Sequence, residues 1–233
     1  MNKIISVFIE LPQAHVFATC LTLCIVSLLL YLQCIKKWSF KKVSPYPFLF
    51  LPLSIELVYQ ISALIDGTWS YKTSLPLEFS YITSLSAFAY LFCNHNKING
   101  WLYFAGIWSS TAAFINTIMF GTEAWYIFLR YYGHHGILLF FGLRSLFWGF
   151  RPRSSDYLRS ILLTTFILTI VHLINSIIAT NYMFTYSRPN GSNFSQLMPE
   201  WPDYLILILS LGVFYYTVLY FIGRKKTKSL KVK

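Results

Sequence analysis

Residues 14–42, AHVFATCLTLCIVSLLLYLQCIKKWSFKK, place a long apolar run directly before four lysines. About 20 apolar residues are enough to cross the hydrocarbon core of a bilayer as one α-helix. Glu10 precedes this run, and no small-residue cleavage site follows it. The pattern predicts a membrane helix that is retained as a signal anchor and whose lysine-rich end faces the cytoplasm.

The composition of the 233-residue chain extends this prediction to the rest of the sequence. Hydrophobic residues make up 56% of the chain and charged residues only 12%, about half of the charged fraction of an ordinary soluble domain. A soluble core could not bury 21 Phe, 17 Tyr and 7 Trp in a chain of this length, so much of this apolar surface must face lipid. The composition therefore excludes a soluble globular enzyme.

Six further apolar runs predict an all-α membrane protein, a seven-transmembrane helix bundle that forms a single domain over residues 1–233. The separators are short and carry charges or helix breakers, and no segment shows the alternation of a membrane β-barrel. The predicted spans, each near the ~20 residues of a bilayer crossing, cover about 14–34, 47–66, 75–93, 101–120, 125–148, 158–180 and 204–222.

The basic residues predict the orientation of this bundle. Seven spans place four of the 19 basic residues on one side, namely Lys3, Lys72, Arg130 and Arg188. The other side receives Lys36, Lys37, Lys41, Lys42, Lys97, Arg144, Arg151, Arg153, Arg159, Arg224, Lys225, Lys226, Lys228, Lys231 and Lys233. We therefore expect the N-terminus outside and the C-terminus in the cytoplasm. The net charge of +11 then reflects orientation rather than nucleic-acid binding, and the basic C-terminal tail is expected to contact anionic lipid headgroups.

The four cysteines give no reason to predict a disulfide. Cys20 and Cys24 lie within the first span, and Cys34 and Cys93 lie at predicted cytoplasmic ends, where thiols stay reduced. A zinc site built from His15, His135 and His172 would need three helices and lacks any metal-binding spacing. No metal and no cofactor is predicted.

Polar side chains at membrane depth are the candidate functional residues, because ionisable groups are costly inside a bilayer. Counting from the predicted outer ends of the spans places them on several helices in one slab between the outer surface and the midplane. This pattern predicts an outward-facing polar cavity. Its candidate residues are His15, Glu56, Ser80, Asn116, His135 and Asn175.

Ser80 and His135 suit nucleophilic acyl transfer, which needs a hydroxyl and a base within reach. Asn116 or Asn175 could donate to an oxyanion, and Glu56 could orient the imidazole.

Helix geometry limits which side chains can face this cavity in two pairs of nearby residues. His134 and His135 point about 100° apart on a helix, so only one of them can face the site. Glu78 and Ser80 would lie about 200° apart on a regular helix, so Glu78 faces the cavity only if Pro76 distorts the first turn.

A passage for protons or cations through Glu56 is the alternative use of such a cavity.

Several short segments recur across nearly the whole chain in the order and spacing of a known family. They are His15, Glu56, Leu75-Pro76-Leu77, His135-Gly136, Asn175, Asn181-Tyr182-Met183-Phe184 and Trp201-Pro202-Asp203-Tyr204. Taken together, they make the chain resemble the YwaF-type family of small bacterial integral membrane proteins. The resemblance implies a location in the bacterial plasma membrane.

That family is in turn similar to a mammalian transmembrane acyltransferase that moves fatty acyl chains between phospholipids and for which a Cys and a His are the proposed dyad. The resemblance implies that the nucleophile follows the Leu-Pro-Leu motif by three residues. Here that position holds Ser80 instead of Cys, and Glu78 stands where a His is usual. Because a serine hydroxyl has a far higher pKa than a thiol, the chain is either a slower serine variant or an inactive branch.

The first hypothesis is a membrane-embedded acyltransferase or lipid hydrolase that acts on acyl esters of phospholipid or lipoprotein from the outer leaflet. Ser80 would attack the ester, His135 would act as base and acid, and Glu56, Glu78, Asn116, Asn175 and His15 would support them. The alternative is a non-enzymatic membrane protein that binds lipid or transports a small solute through the same cavity.

Overall fold

Helices account for all regular structure in the part of the chain that the computed structural model describes, which is residues 11–35, 46–91, 95–147, 149–189 and 194–224. The predicted all-α class is confirmed over these residues. The α-helices are α1 (Gln13–Leu30), α2 (Tyr46–Ile65), α3 (Phe79–Leu85), α4 (His95–Trp101), α5 (Ile107–Ile115), α6 (Trp125–Phe147), α7 (Ser154–Ile178) and α8 (Asp203–Arg224). A π-helical turn, Leu102–Gly106, joins α4 to α5, and a 3-10 segment, Ser86–Leu91, extends α3.

Helix α6 lies at the centre of the bundle and packs against α1, α2, α3 and α5. Buried side chains occur along its whole length, from Tyr126 to Ser145. The largest apolar core forms where α6 meets the π-helical turn, with Leu102, Phe104 and Leu138 fully buried. Helices α7 and α8 lie at the periphery, since most of their apolar side chains are exposed.

Glycines allow the backbones of α5 and α6 to approach closely. A Cβ at Gly106 would lie 3.0 Å from the Leu138 carbonyl oxygen, and a Cβ at Gly142 would lie 2.6 Å from Ile107 Cγ1. These separations are shorter than ordinary van der Waals contacts, so a larger residue would force the helices apart. Ser110 hydrogen bonds across the same interface to the His135 carbonyl oxygen at 2.8 Å.

The connections between helices gather at two ends of the bundle. At one end, which we call the loop end, residues 66–78 and 116–124 meet the α7–α8 connection, residues 179–202. Contacts such as the hydrogen bond from Phe194 N to Asn116 Oδ1 hold these segments together. At the other end, which we call the basic end, Arg144 bonds Gln33 and Ser154 bonds Tyr220.

Within the described residues, three helices are long and apolar enough to cross a membrane, rather than the seven that the sequence predicts. They are Gln13–Gln33, Ser154–Ile178 and Asp203–Arg224, with mean hydropathy of 2.1, 2.2 and 2.3. They match the predicted spans 14–34, 158–180 and 204–222. All three bury little of their surface inside the protein, as expected for helices that face lipid.

The other four predicted spans are not among these three helices. Helix α2, Tyr46–Ile65, nearly has the bounds of the predicted span 47–66, and its side chains are described from Phe50 onward. The span predicted at 75–93 becomes α-helical only at Phe79 and tightens to 3-10 geometry at Ser86. The Ser84 and Ser86 hydroxyls donate to the backbone carbonyls of Tyr81 and Thr83, which competes with regular helix.

The span predicted at 101–120 starts earlier, at His95, and its helix ends at Ile115, where the Asn116 backbone is extended. Helix α6 has the predicted length, but Arg130, His134 and His135 lower its apolar content. It is therefore enclosed by the other helices instead of facing lipid.

Several predicted features lie outside the described residues. These are the lysines of residues 36–42, Cys93, and the basic tail 225–233. Cys20 and Cys24 are free thiols on the exposed face of α1.

Candidate functional site

A cavity of about 540 Å³ lies between the core helices α3, α5 and α6 on one side and the peripheral helices α7 and α8 on the other. Its wall on the peripheral side is mainly apolar and includes Leu168, Leu205 and Ile208. Residues of the α7–α8 connection, among them Met183 and Phe184, cover it at the loop end. The polar side chains in its lining come mostly from the core helices.

Four of the predicted site residues line this cavity: Glu78, Ser80, Asn116 and His135. Ser80 is buried in the first turn of α3. Its hydroxyl has no hydrogen-bond partner among the described residues, so it is available to a molecule in the cavity.

His135 reaches the cavity from α6, and one of its ring nitrogens is held by its own helix. The ring Nδ1 lies 2.7 Å from the Tyr131 carbonyl oxygen, and a carbonyl can only accept. Nδ1 therefore carries the proton, which leaves Nε2 of the neutral ring as a proton acceptor. No described residue occupies that Nε2. Ser80 and His135 do not hydrogen bond to each other, although they line the same cavity.

Glu78 and Ser80 both face the cavity, because the helix begins only after Glu78. Glu78 has extended backbone angles, φ −70° and ψ 145°, and Phe79 is the first helical residue. The separation of about 200° expected for a continuous helix therefore does not apply here. The Glu78 carboxylate accepts a hydrogen bond of 3.0 Å from the Met183 backbone N–H, which ties α3 to the α7–α8 connection.

Glu56 does not serve His135, contrary to the prediction. Its carboxylate is 6% exposed and forms two hydrogen bonds with Arg130, at 2.8 and 3.0 Å. A third hydrogen bond, of 2.7 Å, comes from Gln60. These hydrogen bonds hold the carboxylate away from the cavity, and Glu56 is not among the residues that line it.

Arg130, which the charge pattern predicts on the outer side, is a buried residue of α6 with 3% exposure. Besides Glu56, it donates to the Ser74 carbonyl oxygen at 3.0 Å, and its guanidinium lies 3.8 Å from the centre of the Tyr59 ring. The available signal was its position within the predicted span 125–148, where a charge is expected to be paired.

His134 belongs to the same ion cluster as Glu56 and Arg130. Its Nδ1 bonds Ser84, and its Nε2 lies 3.4 Å from Glu56 Oε2 without hydrogen-bond geometry. The prediction that only one of the two adjacent histidines faces the cavity is correct. The Tyr81 ring separates the cluster from the cavity, since it stacks on Arg130 at 4.1 Å and also lines the cavity.

Asn175 organises the α7–α8 connection and does not line the cavity. Its Nδ2 donates to the Tyr182 carbonyl and the Thr185 hydroxyl, and its Oδ1 accepts from Thr180 and from Tyr182 N. No donor remains for an oxyanion. The Tyr182 hydroxyl in turn donates to the Tyr71 carbonyl oxygen at 2.7 Å. Burial raises the pKa of this phenol, so it stays protonated as a donor.

Asn116 keeps an amide group free for the cavity. Its Oδ1 accepts the Phe194 backbone N–H, and its Nδ2 has no hydrogen-bond partner in the described part of the chain. Of the two asparagines considered for an oxyanion, only Asn116 lines the cavity and has an unused donor.

His15 supports the packing of α1 rather than the cavity. Its Nε2 donates to the Phe114 carbonyl oxygen at 3.3 Å, and its Nδ1 accepts from the Tyr132 hydroxyl at 2.7 Å. The His172 ring stacks on Tyr186 elsewhere in the fold, at 4.5 Å. Within the described ranges, no group of three His, Cys, Asp or Glu side chains is placed to hold a metal ion.

These features define an all-helical membrane protein in which a buried ion cluster adjoins a largely apolar cavity with a serine and a histidine in its wall. The model of the TMEM164 family matches residues 10–220. The chain therefore belongs to the TMEM164 family, a family of transmembrane proteins. No curated protein matches the chain. No solved structure matches it either.

The family match supports the prediction of a membrane protein, but it supports no narrower family or location. The YwaF-type relationship and the bacterial plasma membrane stay predictions.

Proposed function

We propose that this protein is a membrane-embedded acyltransferase or lipid hydrolase that acts on acyl esters of phospholipid or lipoprotein. One observation carries the proposal: Ser80 and His135, from different helices, line the same mainly apolar cavity, and each has an unused polar atom. The volume of about 540 Å³ lies in the range of small-molecule sites, which are mostly apolar with a few placed polar groups.

The position of the cavity suits a lipid. One wall belongs to α7 and α8, the two peripheral helices with exposed apolar faces. An acyl chain could lie against Leu168, Leu205 and Ile208 while its ester reaches the polar core side. A polar substrate would gain nothing from this wall, because its groups would lose water without finding partners.

Ser80, His135 and Asn116 have distinct roles in the proposed acyl transfer. The Ser80 oxygen attacks the ester carbonyl while its proton passes to His135 Nε2. Asn116 Nδ2 donates to the oxyanion that forms. When the tetrahedral intermediate collapses, the bond to the leaving alcohol breaks and that oxygen takes the proton from His135. A second alcohol, or water, then attacks acyl-Ser80 and loses its proton to His135. The bond to Ser80 Oγ breaks, that oxygen takes the proton back from His135, and the acyl chain leaves as an ester or a free acid.

The absence of a hydrogen bond between Ser80 and His135 favours a second candidate. A protein that only binds lipid in this cavity, or passes a small solute through it, needs no contact between the two residues. In the enzyme, substrate must bring them together, as happens in sites whose catalytic hydrogen bonds tighten only in the complex.

We also propose the orientation and the location that the charges indicate. The basic end carries Lys97, Arg144, Arg151, Arg153, Arg159 and Arg224 among the described residues. The positive-inside tendency assigns this end to the cytoplasm and the N-terminus to the outside. The cavity lies toward the loop end and would receive lipid from the outer leaflet. The YwaF-type resemblance adds the bacterial plasma membrane to this proposal.

Activity of the purified chain in nanodiscs that contain a phospholipid with a labelled acyl chain separates the two candidates. We expect acyl release or transfer to fall at least about 100-fold in Ser80→Ala and in His135→Gln. Ser80→Cys should keep or raise the rate, because a thiol is more easily ionised than a hydroxyl. Ser109→Ala is the matched control, since Ser109 is another serine that lines the cavity. Unchanged turnover in both Ser80→Ala and His135→Gln would reject the enzyme.

A further inference from the structure

A second site lies at the basic end, away from the cavity described above. A cleft of about 710 Å³ is bordered by α4, the α6–α7 connection and the neighbouring ends of α7 and α8. Its charged lining residues are Lys97, Arg151, Arg153, Asp156, Arg159 and Arg224. Five cations thus face one carboxylate, which leaves the cleft strongly positive.

Lys97 and Arg159 form no ion pair within the described residues. The single acid of the lining, Asp156, uses a carboxylate oxygen to accept a hydrogen bond from Arg153 N at 2.9 Å, at the start of α7. Asp156 forms no ion pair in the described structure. No described residue therefore balances the charges of Lys97 and Arg159, which border the same cleft.

A shallow apolar groove of about 410 Å³ continues from this cleft between α4 and α7. It shares Lys97, Asp156 and Arg159 with the cleft and is lined further along by Trp101, Leu162 and Leu163. Leu162 is 68% exposed and lies on α7, one of the three helices able to span a membrane. A charged cleft at the end of such a helix and an apolar groove along it are complementary to a phospholipid, which has a charged headgroup and apolar acyl chains.

We propose that this cleft and groove form a binding site for an anionic phospholipid. Its phosphate lies between Lys97 and Arg159, and one acyl chain follows Leu162 and Leu163. Arginine and lysine suit phosphate because they combine a full charge with several hydrogen-bond donors, and basic pockets between membrane helices are typical places for anionic headgroups. Free phosphate shares the head-group chemistry but has no use for the groove. This proposal does not depend on the chemistry of Ser80.

Native mass spectrometry of the full chain in neutral detergent tests the site. Titration with dioleoyl phosphatidylglycerol should give a dissociation constant roughly tenfold lower than that for dioleoyl phosphatidylcholine. The double variant Lys97→Gln/Arg159→Gln should remove this preference. Lys72→Gln is the matched control, because Lys72 is an exposed cation at the loop end, and it should keep the preference.

Three outcomes would overturn the proposal. Equal binding of both lipids to the unmodified chain would remove the anionic preference. A double variant that binds like the Lys72→Gln control would place that preference elsewhere. A thermal stabilisation by inorganic phosphate that equals the one given by phosphatidylglycerol, and that is lost in the double variant, would show a phosphate site without a lipid. The first measurement uses only the unmodified chain, so it decides the question even if the double variant does not fold.

Discussion

The charged guanidinium of Arg130 is buried inside the bundle, where it forms hydrogen bonds and contacts with aromatic rings. It forms two hydrogen bonds with Glu56 and one with the Ser74 carbonyl, and it lies between the rings of Tyr59 and Tyr81. Burying two charges costs several kcal/mol each, which such contacts must offset. The pair is therefore best understood as joining α2, α6 and the 66–78 connection in one arrangement.

We expect Arg130→Gln to destabilise the protein by about 3–5 kcal/mol, because it leaves the Glu56 carboxylate buried without its charged partner. Thermal unfolding in detergent, compared with the exposed control Lys72→Gln, measures the effect. The double variant Glu56→Gln/Arg130→Gln should recover part of the loss, since it removes both charges. A stability of Arg130→Gln equal to that of the control would contradict this role.

For single residues, the sequence predicted which side chains share a cavity better than it predicted their hydrogen-bond partners. Ser80, His135, Glu78 and Asn116 do line one cavity, because their depth along the helices follows from counting residues. Glu56 was assigned to His135 but pairs with Arg130. Depth says nothing about rotation around the helix axis, and rotation decides which of two adjacent histidines a carboxylate meets.

The elements of the bundle were predictable where an apolar run is long and uniform. The spans at 14–34, 158–180 and 204–222 correspond closely to α1, α7 and α8. The segments at 75–93 and 101–120 were less predictable, because their helices depart from regular geometry. Hydroxyl bonds to carbonyls three residues away accompany the tightening of the first segment, the π-helical turn Leu102–Gly106 interrupts the second, and an apolar run predicts neither feature.

The close packing of α5 against α6 leads to a prediction about Gly142. We expect Gly142→Ala to destabilise the protein by about 1–3 kcal/mol, because the new Cβ would lie 2.6 Å from Ile107 and 3.1 Å from the Leu102 carbonyl oxygen. Gly212→Ala is the control, because its Cβ would lie no nearer than 3.9 Å to Trp108. Thermal unfolding of both variants checks the difference, and an equal effect would show that α5 and α6 can separate freely.

In the whole molecule, the enclosed helices α3, α5 and α6 and the exposed apolar helices α7 and α8 have different roles. The core helices α3, α5 and α6 hold the ion cluster and the polar side of the cavity, and α7 and α8 supply its apolar wall. Composition predicted a membrane protein, because it sums over many residues, and the depth of the polar residues along the helices predicted a polar cavity. The cavity in the structure is mainly apolar and has polar groups chiefly on its core side. Composition could not predict that the ion cluster would be separated from the cavity by Tyr81, because this depends on how three helices pack together.

Mapping of acyl groups on the purified chain, after incubation with a phospholipid donor and an acid quench, tests the central claim most directly. The proposal predicts a mass increase of one acyl chain on the peptide that contains Ser80, lost in Ser80→Ala and retained in Ser109→Ala. Acyl release that continues while this peptide stays unmodified, or an acyl group on another residue, would contradict it.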